Sequence, residues 1–137
     1  MLTITSLVTE YRDTHVTTLL DEVSLEALFI EAVHEYQAWA ALKVEQPRLQ
    51  TVGEVSEWVS DEVVVNANTT LSASEWGIIK PLAYFYVERQ EALVQEASKN
   101  HMHELFGRTS SEIEQDITAY RNDQLRRLAF RMPIITV

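Results

Sequence analysis

Ser72 and Glu75 stand three residues apart at the head of the longest run of helically spaced apolar residues in the chain, and that run constrains the fold more than any other feature. In this capping-box spacing each side chain satisfies the other's free backbone N–H, so a helix is expected to begin here. Trp76, Ile79, Leu82, Ala83, Tyr86, Leu93, Val94 and Ala97 form its apolar stripe and carry it to about His103. Tyr84, Phe85 and Val87 widen the apolar surface around Pro81, so contacts are expected on two sides, one of them a candidate face for another subunit. Pro81 lacks a backbone donor and its ring crowds the preceding turn, which predicts a kink or restart near Lys80.

Shorter elements are expected around this helix. From Ser24 to Lys43, the residues Leu25, Leu28, Phe29, Ala32, Val33, Tyr36, Trp39 and Ala40 repeat at helical spacing, with Ser24 as cap, Glu26 in the positive first turn and Pro47 as the far limit. Residues 3–20 allow a further short helix. A helical turn is expected at Glu54 to Val59 and a short strand at Val63-Val64-Val65, within about 62–66. Gly107 stops the long helix, and Thr109 with Glu112 opens a last one whose face is Ile113, Ile117, Tyr120, Gln124 and Leu128. After Pro133 the apolar run Ile134-Ile135-Thr136-Val137 reads as a terminal strand or arm, suited to pairing with the Val63 strand or with a sheet on a neighbour. The fold class is therefore mostly α: a bundle of three to four helices in one domain, 1–137, with a short β element around 62–66 and an extended C-terminal arm over 132–137.

Composition limits what such a domain does. The 137 residues hold no cysteine, which removes disulfides and thiolate metal sites. The first residues, MLTITSLVTEYRDTH, have no basic side chain before Arg12 and no apolar run of signal length, and no segment nears the roughly 18 to 20 apolar residues that a membrane span requires, so no membrane partner is expected. The net charge of −10 argues against specific nucleic-acid binding, which draws on Lys and Arg at phosphates. The charge is uneven: residues 1–79 carry 13 acidic against 3 basic side chains, whereas 80–137 carry 8 of each. An acidic front half suits solubility, a basic partner or a wall that repels DNA.

Constellations that resemble catalytic or metal sites are incomplete. Glu31 and His34 have the Glu-x-x-His spacing of a di-iron helix, but such a centre needs a second pair and further Glu ligands. His101 and His103 point to different sides of a helix, with Glu104 beside them. No Gly-x-Ser-x-Gly elbow, Ser-x-x-Lys pair or glycine-rich phosphate loop occurs. Glu112, Glu114 and Asp116 suit the acidic first turn of a helix, and Arg126 and Arg127 its negative end. Trp39, Trp58 and Trp76 read as core or interface anchors. No catalytic, cofactor-binding or metal residue is assigned; the candidate interface consists of Trp76, Tyr84, Phe85, Ile134, Ile135 and Val137.

Three stretches, LSASEWGIIKPLAYFYVERQEALVQEAS at 71–98, FGRTSSEIEQDITAY at 106–120 and LAFRMPIITV at 128–137, resemble a group of small virion proteins of tailed bacteriophages encoded among head and neck genes. The resemblance implies a non-enzymatic subunit of the head–tail connector or neck, assembled in the host cytoplasm into the virion. It implies a homo-oligomeric ring that links portal to tail, contacts the portal and adjacent neck or tail proteins, and passes DNA through its lumen. An acidic half lining that lumen would keep DNA from sticking. The stretch Lys99-Asn100-His101-Met102-His103 departs from the pattern, where a glycine-containing break is expected. A contrasting expectation, from charge alone, is a small acidic inhibitor or adaptor, a DNA mimic among them, that binds a basic protein.

Overall fold

A computed structural model describes residues 2–16, 18–43, 48–59, 64–98 and 108–129. The fold is mostly helical, a bundle with a short β element, as the sequence pattern predicts. Helix α1 (Ile4–Thr14) follows strand β1 (Leu2–Thr3), and α2 (Glu22–Gln37) follows α1. A hairpin of β2 (Arg48–Val52) and β3 (Val55–Val59) comes next, then β4 (Thr70–Leu71) and the long α3 (Ala73–Ser98). The last helix is α4 (Ser110–Ala119), which passes through a π-helical turn (Tyr120–Leu125) into α5 (Arg126–Ala129).

Local chemistry sets the helix starts. Thr3 and Ser6 form a capping box at α1, each side chain accepting the other's backbone N–H at 3.1 Å. The start of α2 lies upstream of the expected one: Asp21, not Ser24, is the cap, its carboxylate accepting the Ser24 N–H at 2.8 Å. A carboxylate is favoured there because it adds charge to hydrogen bonding at the positive helix end, and these same bonds hold the Asp21 carboxyl below its usual pKa. The helix also ends earlier than expected, at Gln37, before a turn at 38–40.

At α3 the predicted capping box is present: Glu75 Oε1 accepts the Ser72 N–H at 2.9 Å and Ser72 Oγ accepts the Glu75 N–H at 3.2 Å. The expected restart at Pro81 does not occur, and α3 continues through it. Ile79, Leu82, Ala83, Tyr86 and Val87, all buried around Pro81, supply packing that outweighs the lost hydrogen bond. The predicted stripe ends early, however, with Ala92 buried and Leu93, Val94 and Ala97 exposed. Gly107 and the stretch 99–103 lie outside the described residues.

The β element is present but lies at 48–59 rather than at 62–66. The expected helical turn at Glu54 to Val59 is strand β3, paired antiparallel with β2 in the register Gln50↔Glu57, Thr51↔Ser56 and Val52↔Val55. Gly53, at φ +64°, takes the left-handed position that a two-residue hairpin turn requires, and β-branched residues flank it. Val64, Val65 and Asn66 form no strand; Glu62 and Val63 lie outside the described residues. Instead Val65 is buried, Val64 is 82% exposed, and Asn66 opens a turn closed by the Thr69 N–H on the Asn66 carbonyl at 3.0 Å. That turn feeds β4, which pairs with β1 in the register Leu2↔Leu71 and Thr3↔Thr70 and pins the start of the chain to the start of α3.

The helices alternate in direction. Residues 2–3 lie beside 70–71 and His15 beside Tyr84, so α1 runs with α3. Thr18 bonds Glu91, Glu31 pairs with Arg89, and the Lys43 N–H bonds Glu75, so α2 runs against α3. Tyr120 bonds the Ile78 carbonyl and Ser110 bonds Glu96, so the last helix also runs against α3. One core fills the space between, built on Ile4, Leu25, Phe29, Tyr36, Leu42, Leu71, Ile79, Leu82, Tyr86, Ile113, Ile117 and Leu125. The π turn decides which residue of the last helix enters it. A regular period would place Gln124 inward, but one extra residue in the turn exposes Gln124 and buries Leu125 beside Tyr120.

Candidate assembly surface

Glu31, Glu114 and Asp116, among the acids singled out by spacing, are engaged in ties between elements. Arg89 of α3 reaches Glu114 of α4 at 2.5 Å and Glu31 of α2 at 4.0 Å, and its guanidinium lies 4.9 Å from the Tyr86 ring centre. Glu31 therefore faces an arginine, while His34 shares a 3.1 Å hydrogen bond with Gln37. The two are not brought together as a ligand pair, and no group of three or more His, Cys, Asp or Glu able to hold a metal occurs among the described residues. His101 to Glu104 lie outside them.

Beside this tie, Arg121 places Nε 2.9 Å from Glu35 Oε1 and donates through Nη2 to the Tyr86 hydroxyl at 2.9 Å. Arg108 grips both Glu88 oxygens, at 2.9 and 3.0 Å, and also bonds Asp116. These hydrogen bonds, donated to Glu88 and then to Asp116, raise the pKa of Arg108 above its ordinary value. Glu96 accepts both the Ser110 N–H and the Ser110 hydroxyl, joining the end of α3 to the start of α4. Thr109 caps α4 by accepting the Glu112 N–H at 3.3 Å.

Glu75 is the least expected carboxylate. It is 1% exposed, and besides capping α3 it accepts the Lys43 N–H through Oε2 at 2.9 Å, fixing the chain that leaves α2 to the head of α3. Close by, the buried Tyr36 hydroxyl finds no hydrogen-bond partner among the described residues, and burial, followed by the Glu75 charge, pushes its pKa up to about 12.

The candidate interface residues that the structure describes lie mostly inside the body. Trp76 is buried, 5.5 Å from Phe29 between ring centres, and Tyr84 packs edge-on against Tyr11 at 5.0 Å with the Lys80 ammonium over its ring. Phe85 is half-buried and meets Tyr120. Trp76 is thus an anchor of this chain's own core, whereas Tyr84 and Phe85 retain an outer edge. Ile134, Ile135 and Val137, and the arm to which they belong, lie outside the described residues.

What the sequence reading missed is the β2–β3 hairpin. Each residue from Gln50 to Glu57 is exposed, and at its tip Val52 is 71% and Val55 59% exposed. A two-stranded hairpin is marginally stable in water by itself, and the outer edges of a two-stranded sheet offer backbone groups to another chain. The signal available in the sequence is the pair Gly53-Glu54 between the β-branched Val52 and Val55.

No protein-family model, curated protein or solved structure matches this chain.

Proposed function

We propose that this protein is a structural subunit of a tailed-phage head–tail connector or neck, working through contacts with copies of itself and with portal and tail proteins. The observation that carries the reading is the contrast between a core welded by helix-to-helix ion pairs and a hairpin that exposes two valines at its tip. Such a hairpin is stabilised when a neighbour covers it. The resemblance of residues 71–137 to small phage virion proteins supplies the setting, and the acidic front half suits a ring through which DNA passes without adhering.

Electron cryomicroscopy of purified virions from the source phage tests the reading. The expected result is density for this chain as a ring at the portal-proximal neck. Its absence from particles contradicts the reading. One observation favours a second: Glu10, Asp13, Asp21, Glu22 and Glu31 are all exposed on α1, α2 and the turn between them, as in a small acidic adaptor. That alternative is a chain absent from virions that binds a basic protein in a salt-sensitive complex.

A further inference from the structure

We infer that the tip of the β2–β3 hairpin seats on the Trp39, Lys43, Arg126 and Arg127 end of a second copy of this chain, joining one copy to the next. The inference rests on the assembly reading and names the surface through which assembly occurs.

The tip presents Val52 and Val55 together with Glu54 and Glu57, exposed acids with no ion pair among the described residues. The receiving end has the opposite character. Arg12, Arg89, Arg108 and Arg121 are each matched by a carboxylate, but exposed Lys43 and Arg127 have no ion pair among the described residues. Arg126 lies 4.9 Å from the Trp39 ring centre, so an indole and three cations share this end of the bundle. Valines suit the aromatic surface and the two acids suit the cations, a complementarity that selects partner and register. The tip does not occupy this surface in its own copy, because its valines are exposed.

The receiving surface sits at one pole of the bundle. The Lys43 N–H is bound to Glu75 at the head of α3, Arg126 lies at the tail of the last helix, and the hairpin begins at Arg48, a few residues beyond Lys43. A contact between two different patches repeats from copy to copy and closes into a ring when the rotation permits.

Because the chain has no cysteine, introduced ones report the contact directly. Ser56→Cys is made in one pool and Ala41→Cys in another; both positions are exposed and neither belongs to the charged set. The pools are mixed and treated with a short bis-maleimide. The expected product is a mixed 56–41 dimer, formed in clear excess over 56–56 and 41–41 dimers. It disappears when the first pool also carries Glu54→Arg and Glu57→Arg, and returns when the second carries Lys43→Glu and Arg127→Glu. A mixed dimer no more abundant than the like pairs, or one indifferent to charge reversal, overturns the inference. If the wild-type chain nevertheless sediments as an oligomer, this contact is wrong while the assembly reading stands; absence from virions is the separate failure of that reading.

Discussion

The helical body and the hairpin handle their polar and apolar groups in opposite ways. In the body, Glu75 satisfies two backbone donors from opposite sides, Arg89 ties α3 to α2 and α4, and residues such as Leu25, Ile79, Leu82 and Leu125 are sealed from water. In the hairpin, Val52 and Val55 face solvent, and the register pairs strand with strand from Arg48↔Val59 to Val52↔Val55. Among the described residues the body builds one closed core. The hairpin has the character of half an interface, and the difference separates what holds the fold from what the fold presents.

Substitutions should divide along the same line. The largest effect belongs to Leu82→Ala, which leaves a cavity at a fully buried site and should cost about 2 to 5 kcal/mol in urea unfolding. A loss under about 1 kcal/mol would mean that the core is not closed there. Glu75→Ala comes next: it strips the Ser72 and Lys43 amides of a buried charged acceptor, for an expected loss of about 2 to 3 kcal/mol. Gln at the same place should recover part of this, since it retains one acceptor oxygen.

Tyr36→Phe should move stability the other way, by up to about 1 kcal/mol, because it removes a buried hydroxyl without a partner. Its pH dependence is distinctive. The folded hydroxyl titrates at about 12 against an ordinary 10.0, so between these values the unfolded chain releases a proton that the folded chain retains. Stability is therefore present below pH 10 and falls as pH rises through that window. The Phe variant should fall less steeply, with Tyr11, also pushed up to about 12 by burial, accounting for part of the remaining slope. The smallest stability change is expected at the tip, where Val52→Ser with Val55→Ser should stay within about 0.5 kcal/mol while weakening self-association in sedimentation. A tip variant that unfolds the body would erase the distinction.

Much of the body is legible because its signals are local. The Ser72–Glu75 box, the Leu25 to Tyr36 stripe and the Thr109 cap depend on residues three or four apart, which a helix brings together whatever surrounds it. The π turn is not local in this sense: a regular period predicts Gln124 inside, and only the core chooses Leu125. Nor does spacing show that Glu75 receives the Lys43 N–H, thirty-two residues away in sequence, or that Glu31 faces Arg89. The hairpin was obscured for another reason. Residues 54–59 also fit a helical turn, the turn signal is confined to Gly53-Glu54 between Val52 and Val55, and the neighbouring Val63-Val64-Val65 run competes as a strand. Of the candidate interface, aromatic residues at helical spacing point equally well to a core, and Trp76 is a core residue.

The most direct test is hydrogen exchange of the β2–β3 amides as the protein is taken from dilute solution to concentrations at which it self-associates. The assembly reading predicts fast exchange over Arg48 to Val59 in the dilute chain and slowing on association, with α3 around Leu82 protected throughout. Hairpin amides already as protected as those of α3 in the dilute chain, or unchanged when copies associate, would contradict it.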